Sequence, residues 1–313
     1  MWILYVILGF VILVALFVWG FCEFFFKKSF ARVEPEEMAK NVADFDDNFK
    51  NGHLSKHYPA ILHGREFVKN TPYEERHIVS CDGYKLFARL YRAASPRATV
   101  ILCHGFRSHG THDFAMIVEH YIVRNFNVLL ISERAHVESE GKYIAFGQKE
   151  RFDIKAWRES IDGPVLLHGL SMGATSVLLA AELEGLSDNI IGVIADCGFD
   201  NAKEQFIHVA RDMMKIPVHP AVDIISYMTK KRIGLDMELS VSKRVNDIKV
   251  PLLIIHGEKD DFVPYENARR IYDAFDGEKY IFTQKEAGHA MSYLEDIDGC
   301  TAALDEFLKK LPV

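Results

Sequence analysis

The segment Gly169-Leu170-Ser171-Met172-Gly173 constrains the fold of this chain more than any other feature. It follows the apolar run Pro164 to His168 and opens the helix-forming run Ala174 to Glu184. A serine between a strand and a helix, with a glycine two residues away on either side, is typical of a tight strand-to-helix turn. Such a turn pushes the hydroxyl out of the sheet, and the helix N-terminus directs N–H groups toward charge that develops beside it. The motif therefore predicts a nucleophilic Ser171, with an ordinary helix N-cap as the alternative.

Short β-rich runs recur along the chain, and from the third run onward helical stretches mostly separate them. They are His77 to Ser80, Lys85 to Tyr91, Ala98 to Cys103, Asn127 to Ser132, Val165 to His168, Ile190 to Asp196, Pro251 to His256 and Lys279 to Thr283. Strands that alternate with helices predict an α/β fold, here a mostly parallel eight-stranded sheet with helices on both faces. Cys81-Asp82-Gly83, between the first two runs, indicates a hairpin.

Composition excludes several classes of protein. The 313 residues are 49% hydrophobic, which is enough for one substantial core with room for an inserted subdomain. A formal net charge of -7 argues against a nucleic-acid partner, which calls for a basic surface. The five cysteines have no paired short spacing, so they indicate neither a zinc site nor a disulfide framework.

Residues 1–22 contain no charged side chain, and as a helix they would reach roughly 33 Å, enough to cross a bilayer core. We expect a membrane anchor over residues 1–26, followed by a stalk over 27–72 that packs on the main domain. A cleaved signal peptide would need a basic start and a small-residue cleavage site, which this segment lacks. The alternative is a very apolar buried helix.

The basic residues that follow the apolar span predict on which side of the membrane the main domain lies. Lys27, Lys28 and Arg32 are the flanking basic residues, and the positive-inside rule places the catalytic domain in the cytoplasm. An exported domain remains open at this point.

The main domain is predicted over residues 73–313, with one long insertion over residues 198–247 between two successive strands. Two helices meeting at a bend that contains Pro217 and Pro220 are the simplest interpretation of the insertion. A helical cap of this kind would carry several methionines. These either line an apolar acyl pocket or pack the cap on the core, and the two roles are compatible.

A serine hydroxyl is a poor nucleophile at neutral pH, so a catalytic Ser171 needs a base and an acid that orients the base. Asp260 follows the buried-strand pattern Pro251 to His256, and His289 lies in a loop after the last strand. Serine, aspartate and histidine thus occur in the chain order expected for a triad on such a sheet. Asp261 is the alternative acid, because a shift of one residue in the loop would bring this adjacent carboxylate to the same position.

The third strand ends in Cys103-His104-Gly105-Phe106, where the glycine lets backbone N–H groups face the site. We expect the N–H groups of Phe106 and Met172 to form the oxyanion hole. These loops leave the carboxyl ends of separate strands, where open α/β sheets bind their ligands. Four other histidines and two cysteines at strand ends are interpreted as structural: His104, His136, His168, His256, Cys103 and Cys197.

With these motifs the chain resembles an α/β-hydrolase over roughly residues 73–313. It is more closely similar to membrane-anchored bacterial hydrolases of the serine aminopeptidase/dienelactone hydrolase-like group. That likeness lies in the loop that begins Arg134-Ala135-His136 and in the strand end Asp196-Cys197-Gly198-Phe199. The resemblance implies that Ser171 is the nucleophile, His289 the base and Asp260 its partner.

The chain departs from the usual pattern of that group in one loop. Glu133 stands where aspartate is common, and Ala135 and Val137 replace glycines. The loop is structural in most relatives, so the departures bear on the wall of the nearby pocket.

The expected activity is hydrolysis of an ester-like acyl bond through an acyl-enzyme, with no cofactor and no metal. The expected partners are a small-molecule or lipid-like acyl substrate and the membrane. Two alternatives stay open: a thioesterase or aminopeptidase-type amide hydrolase that uses the same residues, and a non-catalytic ligand-binding protein on the same scaffold.

Overall fold

The computed structural model describes residues 1–183 and 189–313. Across those residues eight strands form one sheet: β1 (Glu74–Val79), β2 (Lys85–Tyr91), β3 (Ala98–Cys103), β4 (Phe126–Ile131), β5 (Val165–Leu170), β6 (Ile190–Asp196), β7 (Leu252–Gly257) and β8 (Lys279–Gln284). All eight predicted strands are therefore present, with small shifts at their ends.

The strand order is β1-β2-β4-β3-β5-β6-β7-β8. The five pairs from β4-β3 to β7-β8 are parallel, whereas β1 pairs antiparallel with β2 and β2 antiparallel with β4. The chain moves from β3 outward to β4 and then returns across β3 to β5, so the order reverses between β3 and β5. The loops after these two strands meet at the carboxyl edge of the sheet, where open sheets bind ligands.

Helices pack against the sheet, and the first three helices of the chain come before its first strand. In chain order they are α1 (Trp2–Phe30), α2 (Pro35–Lys50), α3 (Tyr58–Asn70), α4 (Gly110–Asp113), α5 (Ala115–Ile122), α6 (Glu150–Glu159), α7 (Met172–Ala181), α8 (Ala202–His208), α9 (Ala221–Arg232), α10 (Glu266–Ala274), α11 (Ser292–Glu295) and α12 (Ile297–Leu308). Glu184, the predicted end of the helix after Ser171, lies outside the described residues.

Hydrophobic core lies on both faces of the sheet, because side chains of a strand point alternately to either side. In β3, Ile101 and Cys103 pack with Trp157 of α6 and with α7 and α10. Val100 and Leu102 of the same strand pack on the opposite face with α5 and α12. Strands buried on both faces read as continuous apolar runs, which is why the sequence pattern located them.

The insertion between β6 and β7 is helical. It contains α8, a π-helical turn over Val209–Met213, and α9, with Pro217 and Pro220 between them. Asn201 caps α8, since its side chain accepts the N–H of Glu204 at 2.9 Å. The two helices and the proline-containing bend agree with the prediction for this segment.

The N-terminal helix is longer than the predicted anchor. It is one continuous helix of 29 residues that runs four residues past residue 26. Residues 1–20 are exposed or half-buried, while Cys22, Phe26 and Phe30 are buried against the rest of the chain. The end of α1 thus packs against the rest of the described chain.

The segment after α1 is helical and tightly packed. Arg65 of α3 makes a two-pronged ion pair with Asp46 of α2 at 2.7 and 2.8 Å. Gly64 lies so near the Ala115 backbone that a Cβ there would be 2.7 Å from its carbonyl oxygen. The segment packs on the sheet domain through α5, while the division of the chain into domains stays a prediction.

Candidate active site

Ser171 occupies the turn between β5 and α7 with φ 54° and ψ −114°, a region that L-residues adopt only under strain. Its N–H donates to the carbonyl oxygen of Asp196, at the end of the neighbouring strand β6, at 2.7 Å. Its side chain makes no capping hydrogen bond to α7. Ser171 therefore stands at the N-cap position of α7 without capping the helix through its hydroxyl, which faces His289 instead.

Two glycines make this turn possible. A Cβ at Gly169 would lie 2.1 Å from the carbonyl oxygen of Gly173, and one at Gly173 would lie 2.0 Å from that of Cys103. Both distances are far inside van der Waals contact. The strand and helix on either side of Ser171 approach each other more closely than any side chain allows, as the sequence motif predicts.

A continuous chain of hydrogen bonds joins Ser171, His289 and Asp260. His289 Nε2 lies 2.9 Å from Ser171 Oγ, and His289 Nδ1 lies 2.7 Å from Asp260 Oδ2. Asp260 comes from the loop after β7 and His289 from the loop after β8. The distances fit an imidazole that donates Nδ1–H to the carboxylate and accepts the serine hydroxyl at Nε2.

The Asp260 carboxylate is held ionised. Its side chain is fully buried, and Oδ1 accepts the N–H groups of Phe262 at 3.0 Å and Val263 at 2.7 Å. Burial alone raises the pKa of Asp260, but hydrogen bonds from His256 and His289 outweigh it and lower the pKa to about 2. A fixed negative charge therefore faces His289 Nδ1 at neutral pH.

The adjacent carboxylate does not share this position. Asp261 is exposed, and its main-chain oxygen accepts His208 Nε2 at 2.7 Å. The structure thus brings Asp260, rather than the alternative Asp261, against His289.

The main chain around Phe106 leaves one N–H without an acceptor. Gly105 N–H donates to Asp113 Oδ2 at 2.7 Å, and Arg107 N–H donates to His136 Nε2 at 3.3 Å. Among the described residues, the intervening N–H of Phe106 has no protein acceptor. The loop after β3 therefore holds its neighbours in place and keeps this donor available.

Met172 supplies a second available N–H, at the start of α7. Within residues 1–183 and 189–313, no protein acceptor pairs with it. The two loops are adjacent, since a Cβ built on Gly105 would lie 3.5 Å from Ser171 Cβ. Two unpaired N–H groups beside a serine hydroxyl are what a developing oxyanion requires.

The hydroxyl of Ser171 opens into an apolar cavity of about 450 Å³, within the size range of small-molecule sites. Phe106 and Met172 also line it, and so do the insertion residues Phe206 and Met214. Met228, by contrast, is buried between α9 and the core. The methionines of the insertion therefore serve both predicted purposes, because one lines the cavity and another packs.

The sequence analysis missed the contribution of α1 to this cavity. Five residues near the end of the helix line it: Phe21, Phe24, Phe25, Lys28 and Ser29. The available signal was the phenylalanine run that continues past the first acidic residue, Glu23. A helix that ended at a membrane surface would have no contact to make with phenylalanines beyond Glu23.

The other histidines and cysteines near the site have structural partners. His168 Nδ1 lies 2.8 Å from Tyr121 Oη, and burial lowers the pKa of His168 to about 3. His104 accepts the N–H of Glu133, and His256 faces the Val263 carbonyl oxygen. Burial raises the pKa of both thiols at the strand ends, those of Cys103 and Cys197. Protonated buried thiols pack rather than react.

One group of potential metal ligands lies at the site. Ligand atoms of Cys197, Asp260 and His289 lie within 4.8 Å of one another. Both ring nitrogens of His289 already face Ser171 and Asp260, and a protonated thiol is a poor metal ligand. The donor set fits hydrogen-bonded catalysis better than metal binding.

Comparisons with known proteins agree with this fold. A family model described as TAP-like protein matches residues 236–312. The uncharacterized protein YqkD of Bacillus subtilis strain 168 is 29% identical over 220 residues, which cover 68% of this chain and 72% of YqkD. The Pyrococcus furiosus esterase Pf2001 is 26% identical with a TM-score of 0.62, covering 77% of this chain and 92% of the esterase.

A more distant likeness extends to a Paleococcus ferrophilus monoacylglycerol lipase, 20% identical with a TM-score of 0.52 over 71% of this chain and 98% of the lipase. At that sequence identity the match supports a shared fold and nothing more. Together with the sheet order and the elbow, these matches show that the chain belongs to the α/β-hydrolase superfamily. Hydrolase is the class of protein that they support.

Proposed function

We propose that this chain is a serine hydrolase that cleaves an ester-like acyl bond through an acyl-enzyme intermediate. The observation that carries the proposal is the unbroken series of hydrogen bonds from Asp260 through His289 to Ser171, at 2.7 and 2.9 Å. Nucleophile, base and orienting acid stand in the relation that defines the serine triad.

In the first half of the reaction, His289 Nε2 takes the proton of Ser171 as its oxygen forms a bond to the acyl carbon. The N–H groups of Phe106 and Met172 stabilise the charge on the carbonyl oxygen. The bond between the acyl carbon and the alcohol oxygen then breaks, and His289 gives its proton to the departing alcohol. Asp260 stabilises the imidazolium and keeps its orientation.

In the second half, water replaces the alcohol. His289 Nε2 takes a proton from water as the water oxygen attacks the acyl carbon of the Ser171 ester. The acid departs, and the proton returns to Ser171 Oγ. Side chains, main-chain N–H groups and one water complete the cycle.

We infer that the N-terminal helix anchors the enzyme in a membrane. Its apolar window has a mean hydropathy of 2.8, and none of that window is buried by the rest of the chain. Lys27, Lys28 and Arg32 follow the apolar stretch and favour a cytoplasmic position for residues 73–313, the proposed hydrolase domain with its cap over 198–247.

Activity-based labelling tests the proposed nucleophile. A fluorophosphonate probe should label the full chain in detergent, and Ser171→Ala should abolish the label. Ser95→Ala, in the exposed loop between β2 and β3, is the matched control and should label like the wild type. Labelling that survives Ser171→Ala would refute the assignment, and a wild-type chain that resists the probe would favour the non-catalytic alternative.

A further inference from the structure

The helix α1 has two parts with different surroundings. Residues 2–20 carry no charge and are exposed or half-buried, with Phe17 at 74% exposure. From Phe21 onward the helix packs on the protein, and Phe26 and Phe30 are 1% and 0% exposed. The helix is continuous through both parts, so no flexible linker separates the exposed apolar rod from the hydrolase domain.

The docked part is held by specific contacts with the insertion. Arg232, at the end of α9, pairs with Glu23 at 2.8 Å, and its guanidinium lies 4.9 Å from the centre of the Phe26 ring. The Phe30 ring stacks on Phe206 with ring centres 5.3 Å apart and an interplanar angle of 9°. Removal of α1, as by a signal peptidase, would take Phe26 and Phe30 away and leave the Phe206 ring without its stacking partner.

The same docked part forms a wall of the cavity that contains Ser171. Phe21, Phe24 and Phe25 of α1 line this cavity together with residues of the insertion. Among its few polar neighbours, Gln205 already donates to the Phe262 carbonyl oxygen at 2.5 Å. An occupant with many polar groups would lose its hydration there without replacement, whereas a hydrocarbon chain would not.

The cavity lies close to where the apolar rod ends. From residue 20 to residue 29 the helix rises roughly 14 Å, so every residue that α1 contributes to the cavity lies within about three turns of the end of the apolar rod. The apolar rod itself is about 28 Å long, which matches a bilayer core of about 30 Å. Its length, hydropathy and lack of charge identify the bilayer as the partner of the exposed surface.

We propose that the substrate is a long-chain acyl ester lipid that enters directly from the bilayer beside the last turns of α1. Its acyl chain occupies the cavity, and its ester carbonyl meets Ser171 and the N–H groups of Phe106 and Met172. Hydrolysis consumes one water and yields a fatty acid and the alcohol of the headgroup. This inference rests on the proposed serine hydrolase function.

The test uses the full chain in phosphatidylcholine vesicles with two substrates, soluble p-nitrophenyl butyrate and monooleoylglycerol dissolved in the bilayer. One variant carries a Gly/Ser linker of about ten residues between Gly20 and Phe21, which spans roughly 17 Å as a flexible coil. The matched control carries the same linker between Ser95 and Pro96, in the exposed loop after β2.

We expect the Gly20 insertion to lower turnover of the bilayer lipid about tenfold or more, because the cavity loses its fixed position at the membrane. Its turnover of the soluble ester, and of the same lipid in detergent micelles, should equal that of the control. An unchanged rate on the bilayer lipid, or an equal loss on all substrates, would overturn lateral entry.

A second pair of variants probes the cavity wall. Phe25→Trp should reduce turnover of the oleoyl ester more than that of the butyryl ester, whereas Phe17→Trp, on the exposed part of α1, should alter neither. If the wild type hydrolyses butyrate but no long-chain ester, this inference fails and the proposed function stands. If it hydrolyses neither ester, both fail.

Discussion

The N–H of Gly105 donates to Oδ2 of Asp113 at 2.7 Å, and this bond fixes the main chain directly before Phe106. The other carboxylate oxygen accepts Ser108 Oγ at 2.5 Å. Burial raises the pKa of Asp113, but the hydrogen bonds and charge of His112, with the Ser108 hydroxyl, lower it to about 2. Asp113 is thus an ionised positioning residue for the proposed oxyanion hole.

Asp113→Ala should lower kcat about tenfold and change KM little, because a misplaced Phe106 N–H weakens stabilisation of the transition state by roughly 1–2 kcal/mol. Asp113→Asn keeps an oxygen acceptor for Gly105 and should restore part of the rate. Steady-state kinetics on a soluble short-chain ester provide the measurement. A rise in KM at constant kcat would instead indicate a role in substrate binding.

Asp260→Asn should lower kcat by about 10³–10⁴-fold, because an amide stabilises neither the imidazolium nor the tautomer that catalysis needs. Asp261→Asn is the matched control, since that adjacent carboxylate is exposed. Both variants are compared in the same ester assay. Similar losses in the two variants would show that Asp260 has no special role.

Gly173→Ala should destabilise the protein by about 1–3 kcal/mol, as overpacking does, because its Cβ would lie 2.0 Å from the Cys103 carbonyl oxygen. Gly288→Ala is the control for stability, since nothing lies within 4 Å of a Cβ there. Thermal unfolding of the full chain in detergent measures both. Equal melting temperatures would mean that the elbow can relax around a methyl group.

Much of this architecture was accessible from the sequence, for local reasons. The central strands β3, β4, β6 and β7 are fully buried, mostly apolar runs, so the length and composition of these runs located them. The positions of Ser171, Asp260 and His289 followed from the rule that parallel strands bring their carboxyl ends to one edge. The choice between Asp260 and Asp261 needed coordinates, because it depends on the turn that places Phe262 and Val263 N–H groups against one carboxylate.

The role of α1 was not accessible in the same way. Hydropathy identifies an apolar span but carries no information about which helix its last turns contact. The docking depends on Arg232 and Phe206, which lie about two hundred residues further along the chain and come from a part of the insertion with weak periodicity. Contacts between segments that are far apart in the sequence, and that share no common periodicity, can be identified only from the tertiary structure.

Asp196 is a buried carboxyl group that the proposed reaction does not use. Its carbonyl oxygen accepts the N–H of Ser171, yet its side-chain Oδ1 has no partner within the described part of the chain. Burial raises the pKa of Asp196 to about 7, against the opposing influence of His256 and with a further increase from the Asp260 charge. The group therefore changes its charge near physiological pH.

Ionisation of Asp196 should weaken the fold. The pKa in the folded state, about 7, exceeds the ordinary value of 3.8, so the folded protein holds this proton more tightly than the unfolded chain does. Below about pH 4 both states are protonated and the group has no effect. As the pH rises from about 4 to 7, the wild type loses up to about 4 kcal/mol of stability through this carboxyl.

Asp196→Asn should remove that loss, because an amide fills the same space without taking a charge. The stability of the variant relative to the wild type should therefore increase by up to about 4 kcal/mol between about pH 4 and pH 8. Denaturant unfolding of the full chain in detergent at the two pH values measures the difference. A constant difference would mean that this carboxyl keeps an ordinary pKa in the folded protein.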